Sequence, residues 1–531
     1  MKFLIKKIYI ILFLLIISLI GSKLLAKEGK IRYTKENISS YFSGIISANQ
    51  SSNNKAFDYF KKAKSLKNKH SKFNAEYIRT LILVEKFDQA FEFSKSIWSK
   101  NEFIFEVDLL LGLEYFINKD YVNAETHFER LNKVSQYNLF FNDFISDVLI
   151  AWNKASQGNK EDSFQFIEKT PLQIKKIQNI FLQCYFDDPK TEDSYKKLIN
   201  DKEYNFSRYN FFLTNYLLFN NKIEDAKKVI TNSRKEYNSN LLIKQAENFI
   251  LNNENKKIKN FFNCKDPNDS LAEFFYVIAN LYSSEKDYNL SNFYMKLSIY
   301  LNDKFLPNKT LLAENYYFQK KEKLSKNTYQ SIKSIGPVYS WYASRSIATI
   351  LINLKGKKYS INSLENEFNL LKNPNFEHYY ELANFYKDNQ FYEKSIKYYS
   401  LALNEISKDH SLVAKILDRR GTSYERIGDW ENAENDLTKS LAISPDQAHV
   451  LNYLAYTWID KGIKIEEGLE MLKKADQLRS NDGYIIDSLG WAYYAKQNYT
   501  EAEFFLQRAV ELLPEDPIIN DHYADTLWML N

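Results

Sequence analysis

The chain has 531 residues, of which 44% are hydrophobic and 16% aromatic, with only 13 Gly and 9 Pro. This composition excludes a disordered chain, and the length exceeds what one hydrophobic core usually supports, which favours a repeat array. Without the four lysines between Met1 and Ala26, the formal charge falls from +5 to +1, because 68 Lys and Arg then face 67 Asp and Glu. A nearly neutral chain gives no support for nucleic-acid binding.

The N-terminal segment, Met1 to Ala26, has the three-part layout of a secretory signal. Basic residues precede an apolar run from Ile8 to Ile20, and Leu24, Leu25 and Ala26 follow it. The layout predicts cleavage after Ala26 and export to the periplasm or the periplasmic face of a membrane. An uncleaved anchor is the alternative, although the run is shorter than the roughly 20 apolar residues of a spanning helix. Because no Cys stands near the end of the run, a lipid anchor is not expected.

The stretch 37–138 is predicted to form three helix pairs at one period. When the chain is divided into frames of about 34 residues, Gly44 and Gly112 stand at position 8 of the first and third frames, and Ala56, Ala90 and Ala124 stand at position 20 of all three. Small residues at these positions let two antiparallel helices pack closely. Three consecutive frames predict a solenoid that begins near the mature N-terminus.

The next stretch, 139–271, is degenerate. A helix pair is predicted around Phe144 to Ile177, and Gln178 to Phe206 is predicted to be helical without a readable signature. A further pair is predicted over 207–240. The last pair, over 241–270, is expected to be short, with an Asn- and Lys-rich turn at Asn252 to Lys257.

The chain has two cysteines, Cys184 and Cys264, which fall in different repeats of this degenerate stretch. Repeats contact mainly their neighbours, so two free core thiols are favoured. In an oxidising compartment the two could also pair, and the disulfide stays the alternative.

Regular spacing returns in the stretch 272–375, where an insertion is predicted near Lys355 to Ser360, and is clearest in the C-terminal array, 376–531. The frame that begins at Gly483 has Gly490 at position 8, Ala502 at position 20 and a proline near its end. These are the signature positions of a tetratricopeptide repeat (TPR). The sequence therefore predicts an all-α, TPR-type α-solenoid, which is a right-handed superhelix of antiparallel helix pairs.

The block from Leu451 to Leu530 contains LNYLAYTWIDKG, ADQLRSNDGYIIDSLGWAYY, AEFFLQRAVELLPEDP and INDHYADTLW. It resembles envelope TPR proteins of Gram-negative bacteria, in particular the outer-membrane adaptor that presents substrates to a carboxy-terminal processing protease. The resemblance covers about the last quarter of the chain. It implies an array that wraps around protein partners and does no chemistry itself.

Positions 2, 5, 9 and 12 of each first helix are predicted to line an inner groove. The candidate protein-binding residues of the C-terminal array are Asn452, Tyr456, Asp487, Trp491, Tyr494 and Asp521, accompanied by Tyr380, Asn384, Asp418, Thr422 and Asp525. Aromatic area combined with amides and carboxylates suits an extended peptide or a helix. The alternative is that these residues only cap helices or pack between adjacent repeats. A chaperone-tail receptor is disfavoured, because the Lys and Asn pattern of carboxylate-clamp repeats is absent.

Enzyme signatures are missing from the sequence. The six histidines are scattered, and none belongs to HExxH or another ligand spacing. There is no Gly-rich phosphate loop and no GxSxG motif, so no enzyme activity, cofactor or metal is predicted. For His449 and His522, which fall near the groove, a surface or hydrogen-bonding role is favoured over metal binding.

The sequence thus predicts a non-catalytic scaffold or adaptor in the bacterial cell envelope, with an envelope protease or a cell-wall hydrolase among the candidate partners. Association with a membrane through the N-terminus is the accompanying expectation. Two alternatives stay open. One is an envelope or outer-membrane assembly factor that holds clients without a protease, and the other is the regulatory arm of an envelope hydrolase.

Overall fold

The computed structural model describes residues 33–67, 70–133, 142–236 and 239–530, and in these ranges every regular element is a helix. The 29 α-helices of this part of the chain pack mainly as antiparallel neighbours. This confirms the predicted all-α solenoid. The predicted signal segment lies outside the described residues. Within the described ranges, no helix has both the length and the apolar character needed to cross a membrane.

The helices fall into two compact units, with the division between Ser346 and Ile347. The first unit contains α1 (Lys35–Asn49), α2 (Asn53–Lys62), α3 (Ser71–Leu83), α4 (Phe87–Ile97), α5 (Phe105–Ile117), α6 (Tyr121–Leu131), α7 (Asn142–Ser156), α8 (Lys160–Glu168), α9 (Leu172–Tyr185), α10 (Thr191–Ile199), α11 (Tyr209–Phe219), α12 (Ile223–Glu236), α13 (Leu241–Leu251), α14 (Asn255–Phe261), α15 (Pro267–Ser284), α16 (Tyr288–Leu301), α17 (Lys309–Phe318), α18 (Glu322–Ile332) and the first half of α19 (Pro337–Lys355).

The second unit begins within α19 and contains α20 (Lys357–Asn369), α21 (Phe376–Asp388), α22 (Tyr392–Asn404), α23 (Val413–Arg426), α24 (Trp430–Ile443), α25 (Ala448–Asp460), α26 (Ile465–Leu478), α27 (Gly483–Ala495), α28 (Tyr499–Leu512) and α29 (Pro517–Leu530). From α21 onwards, odd-numbered helices are the first helices of their pairs and even-numbered helices are the second.

Position 8 needs a small residue because the two helices of a pair touch there. A Cβ atom added to Gly490 would lie 2.6 Å from Cγ of Leu506, and one added to Gly44 would lie 2.5 Å from the ring of Phe60. Both distances are well inside van der Waals contact. The same spacing in the sequence therefore brings a glycine against a large apolar residue in both units.

The turns show that the degenerate stretch keeps the repeat period. Ser51 and Glu85, with φ of 53° and 61°, lie one period apart at the ends of first helices, and so do Asp187 and Asn221, with φ of 54° and 57°. The segment Gln178 to Phe206 was predicted to lack a repeat signature. Its left-handed turn residue at Asp187, between α9 and α10, reveals a helix pair there.

The structure refines two local predictions. The insertion predicted near Lys355 to Ser360 adds no loop, because only Gly356 separates α19 from α20. The turn predicted at Asn252 to Lys257 is shorter, since α14 already begins at Asn255.

A continuous apolar core runs through most of the first unit, from Tyr41 to Tyr316. Helix α16 packs against α3, and the ring of Tyr300 stacks on Phe87 at 4.2 Å between centroids. Asn289 accepts a hydrogen bond from the Ser51 hydroxyl at 2.8 Å. Helices that are far apart in the sequence are therefore packed together, and the first unit is more than a row of adjacent repeats.

This packing overturns the expectation of two free thiols. Cys184 and Cys264 form a disulfide, with their Cα atoms 5.9 Å apart. The end of α9 meets the segment between α14 and α15, where the rings of Phe181 and Phe262 lie 5.1 Å apart. The Nζ atom of Lys265 also donates a hydrogen bond to the carbonyl oxygen of Tyr185 at 2.9 Å. The favoured prediction failed because it gave most weight to contacts between adjacent repeats, and the disulfide that was kept as the alternative is the pairing in the structure.

The second unit has several small cores instead of one. Each joins a helix pair to the first helix of the next pair, as Leu437 of α24 packs with Leu454 and Trp458 of α25. Ile486 and Ala509 pack in the same way with Ile519 of α29. Nearest-neighbour packing of this kind is typical of a regular solenoid.

Candidate protein-binding groove of the second unit

The predicted groove residues lie on α21, α23, α25, α27 and α29, the first helices of the second unit. Helices α21 and α23, α25 and α27, and α27 and α29 contact each other directly. Their shared side is called here the first-helix face. All six candidate residues, namely Asn452, Tyr456, Asp487, Trp491, Tyr494 and Asp521, belong to the three helices α25, α27 and α29.

An aromatic stack occupies the α27–α29 end of this face. The ring of Trp491 is nearly parallel to that of Tyr494, 4.5 Å away, and to that of His522, 4.1 Å away. Tyr456 of α25 adds a fourth ring, 6.3 Å from His522. Three consecutive first helices thus bring their rings into one patch.

Asp487 orients this stack. Its Oδ1 atom lies 3.0 Å from Nδ1 of His522, and both side chains are buried. With the proton on Nδ1, the imidazole donates to the carboxylate, which holds the ring in place against Trp491. Asp487 is therefore a positioning residue of the patch, and it is not a free carboxylate of the groove.

Polar residues on α25 and α29 accompany the patch. The Oδ1 atom of Asn452 is buried and accepts no hydrogen bond within the described ranges. Asp521 and Asp525 of α29 are exposed. Burial, followed by the nearby carboxylates of Asp460 and Asp487, raises the pKa of Tyr456, so its hydroxyl stays protonated at neutral pH. The patch combines apolar area with exposed carboxylates on α29, a mixture of groups that suits recognition of a peptide.

The other predicted groove residues mostly connect adjacent repeats. Asn384 accepts hydrogen bonds from Arg419 and, at 2.7 Å, from the hydroxyl of Tyr399. Asp418 lies 3.0 Å from Nε2 of His449. The Thr422 hydroxyl donates to the carbonyl oxygen of Asp418 at 3.0 Å. Asn384 and Asp418 therefore contact the neighbouring repeat, whereas the bond of Thr422 lies within α23.

Sequence reasoning missed Arg419 as a member of the first-helix face. Arg419 reaches Asn384 and places its guanidinium 5.6 Å from the ring centre of Tyr380. His522, which was expected near the groove in a surface or hydrogen-bonding role, bonds to Asp487 and is in addition buried in the aromatic stack. The sequence signal for His522 was its place on a first helix, directly after Asp521.

The histidines have hydrogen-bonding roles. His449 and His522 each pair with an aspartate of the preceding first helix, and His127 lies 2.8 Å from the buried Asp108. In the described ranges, no three or more His, Cys, Asp or Glu side chains are grouped so that they could hold a metal ion.

Comparisons with known proteins agree with the repeat geometry. A tetratricopeptide-repeat family model matches residues 376–446, and a second model of the same repeat matches residues 485–516. These two segments are tetratricopeptide repeats. A TPR repeat-containing protein of Pseudomonas aeruginosa is 32% identical over 117 residues, which make up 22% of this chain. The match spans only 20% of that relative's length.

Solved TPR structures align with the chain at low similarity. YrrB, described as a TPR protein with an unusual peptide-binding site, has 15% identity and a TM-score of 0.28, and it covers 34% of this chain and 91% of its own. The Naa15/Naa10 structure bound to HypK has 12% identity and a TM-score of 0.35, and it covers 93% of this chain and 96% of its own.

Proposed function

We propose that the chain is a non-catalytic protein–protein interaction scaffold of the bacterial cell envelope. In this proposal a partner segment binds across the first-helix face of α25, α27 and α29. The observation that carries the proposal is the stack of Trp491, Tyr494 and His522. Stacked Trp and Tyr rings beside unpaired polar groups have the composition of interface hot spots.

The envelope setting rests on two features of the chain. The secretory layout of the segment from Met1 to Ala26 favours export. The Cys184–Cys264 disulfide supports the same compartment, because disulfides persist where the environment is oxidising. The resemblance of the block from Leu451 to Leu530 to the protease adaptor makes a carboxy-terminal processing protease the first candidate partner.

The test places a photo-crosslinking amino acid on the first-helix face of the full chain, expressed in its own cells. The crosslinker replaces Tyr494 in one variant and, in the matched control, the exposed Phe504 of the second helix α28. Crosslinked proteins are identified by mass spectrometry. We expect adducts specific to position 494.

The identity of the adduct distinguishes the candidates. A processing protease or cell-wall hydrolase supports the adaptor, whereas outer-membrane or transport components alone support an assembly factor. The captured partner is then titrated with the purified chain. We expect the double change of Trp491 and Tyr456 to alanine to weaken binding at least about 30-fold, since hot-spot residues contribute about 2 kcal/mol each. Unchanged binding by this double variant, with its fold intact, contradicts the proposed site.

A further inference from the structure

A partly open cavity of about 680 Å³ lies within the first unit, well apart in the chain from the first-helix face. It is bordered by the start of α9, the segments that lead into α11 and α13, and one side of α15 and α17. Tyr276 and Asn280 of α15, and Thr310 and Glu314 of α17, occupy positions 5 and 9 of their TPR frames. Asp487 and Trp491 occupy the same two positions, 5 and 9, of their own repeat in the second unit. The volume of the cavity suits a small ligand or a peptide side chain.

The positive charge at this cavity is already neutralised. Arg208 donates from Nε and Nη2 to the two carboxylate oxygens of Glu273, both at 2.8 Å, and from Nη2 to Asn308. Its guanidinium also lies 3.9 Å from the ring centre of Tyr276. A bidentate pair of this kind leaves little net charge, so Arg208 is a structural part of the wall.

Glu314 is the negative charge without a counter-ion. Its Oε1 atom accepts a hydrogen bond from the Tyr342 hydroxyl at 2.6 Å, and its second oxygen accepts none from the described residues. Within the described ranges no Lys, Arg or His forms an ion pair with it. Burial raises the pKa of this carboxyl, whereas the Tyr342 hydrogen bond lowers it. A nearby cation would relieve the cost of burying this charge.

Two hydroxyls of the same wall lack a hydrogen-bond partner in the described ranges and would have to turn toward the cavity to accept from a ligand. The hydroxyls of Tyr209 and Thr310 are buried and have no hydrogen-bond partner among the described residues. Tyr209 is only 4% exposed, and both residues border the cavity. A lysine ammonium carries three donors and an arginine guanidinium five. The ring of Tyr276, with Arg208 over one face, and the edge of Tyr339 also border the cavity and can contact the aliphatic part of such a side chain.

We propose that this cavity is a second recognition site, which takes one cationic side chain, Lys or Arg, of a bound peptide, with Glu314 as its counter-ion. The inference goes beyond the proposed groove, because it concerns the first unit and needs no contact with the first-helix face. It gives the chain a preference for basic residues in one of its partner segments.

The experiment uses the full mature chain and two small probes, acetyl-Gly-Lys-Gly-amide and the same peptide with the lysine side chain acetylated. Binding is followed by saturation-transfer NMR titration. We expect the wild-type chain to prefer the lysine peptide about tenfold, as is typical for a partly desolvated charge pair. In Glu314→Gln, which keeps an acceptor for Tyr342, the preference should disappear. The control Glu129→Gln removes an exposed carboxylate of α6 and should keep the preference.

A second variant tests the proposal in case the Glu314→Gln chain does not fold. Asn280 is exposed, so Asn280→Lys is tolerated and offers Glu314 an internal ammonium, which should abolish binding of the lysine peptide. Equal binding of the two peptides by the wild type, or an unchanged preference in Glu314→Gln, overturns the proposal. Trp491→Ala should leave the preference intact, so failure of this site and failure of the groove are distinguishable.

Discussion

The two units differ in how their helix pairs pack against each other. In the second unit each small core joins neighbouring repeats only, whereas in the first unit one core runs from Tyr41 to Tyr316 and α16 returns to pack on α3. Both units use glycines against large residues at the same spacing, as at Gly44 and Gly490. The difference teaches that the repeat signature determines the helix pair, while contacts between distant repeats determine how independent the pairs are.

The prediction with the largest expected effect tests whether the helix pairs of each unit unfold independently. Phe211→Ala in the first unit and Leu506→Ala in the second both remove fully buried side chains, and we expect each to cost about 3–5 kcal/mol. Hydrogen exchange should show loss of protection throughout the first unit for Phe211→Ala, but only around α27 to α29 for Leu506→Ala. If Phe211→Ala opens only α11 and its neighbours, the first unit is no more cooperative than the second.

Loss of the disulfide should lower the stability of the first unit alone. It joins Cys184 to Cys264 across a sequence separation of 80, and its loss is expected to cost about 2–4 kcal/mol. The measurement compares thermal unfolding of the wild type with that of the Cys184→Ser/Cys264→Ser chain, and hydrogen exchange of α21 to α29 reports separately on the second unit. A shift confined to signals of the second unit would contradict this assignment.

The raised pKa of Asp269 predicts that the stability of the first unit depends on pH. Burial raises the pKa of this carboxyl from 3.8 to about 7, so the folded state holds a proton that the unfolded state releases. Stability contributed by the proton is full below about pH 4 and is lost as pH rises through about 7, by about 1–2 kcal/mol once its partial exposure is allowed for.

Asp269→Asn should remove this pH dependence of stability, because an amide does not titrate. In the wild type the Asn263 N–H donates to Asp269 at 2.8 Å, and the amide oxygen of the variant can still accept this hydrogen bond. Urea unfolding at pH 5 and pH 8 measures the difference. Identical pH slopes for wild type and variant would show that Asp269 titrates as an ordinary surface carboxylate.

The smallest expected effect concerns the contact between the α1–α2 turn and α16. Asn289 accepts hydrogen bonds from Ser51 at 2.8 Å and from Gln319 at 3.0 Å. Asn289→Ala should lower the free energy of unfolding by about 1 kcal/mol. A lower urea midpoint without a change in m-value is the expected result. No change in midpoint would show that the apolar contacts alone hold the ends of this unit together.

Of the candidate site, sequence reasoning could predict the helix face but not the partners of each residue. The repeat frame placed Trp491 and Tyr494 on the first-helix face, and the structure brings them together. It could not show that His522 completes the stack, nor that Asn384 and Asp418 are used between repeats. Those outcomes depend on side-chain reach between helices, which the spacing within one repeat does not contain.

By itself, the sequence determined the helix pairs, their small contact residues and the period, because these follow from local packing within about 34 residues. Only the tertiary structure decided that Cys184 meets Cys264, that α16 returns to α3, and that Glu314 borders a cavity without a counter-ion. The physical reason is that curvature accumulates from small rotations at each repeat interface. Such rotations determine which distant repeats contact each other, and they cannot be read from the sequence of a single repeat.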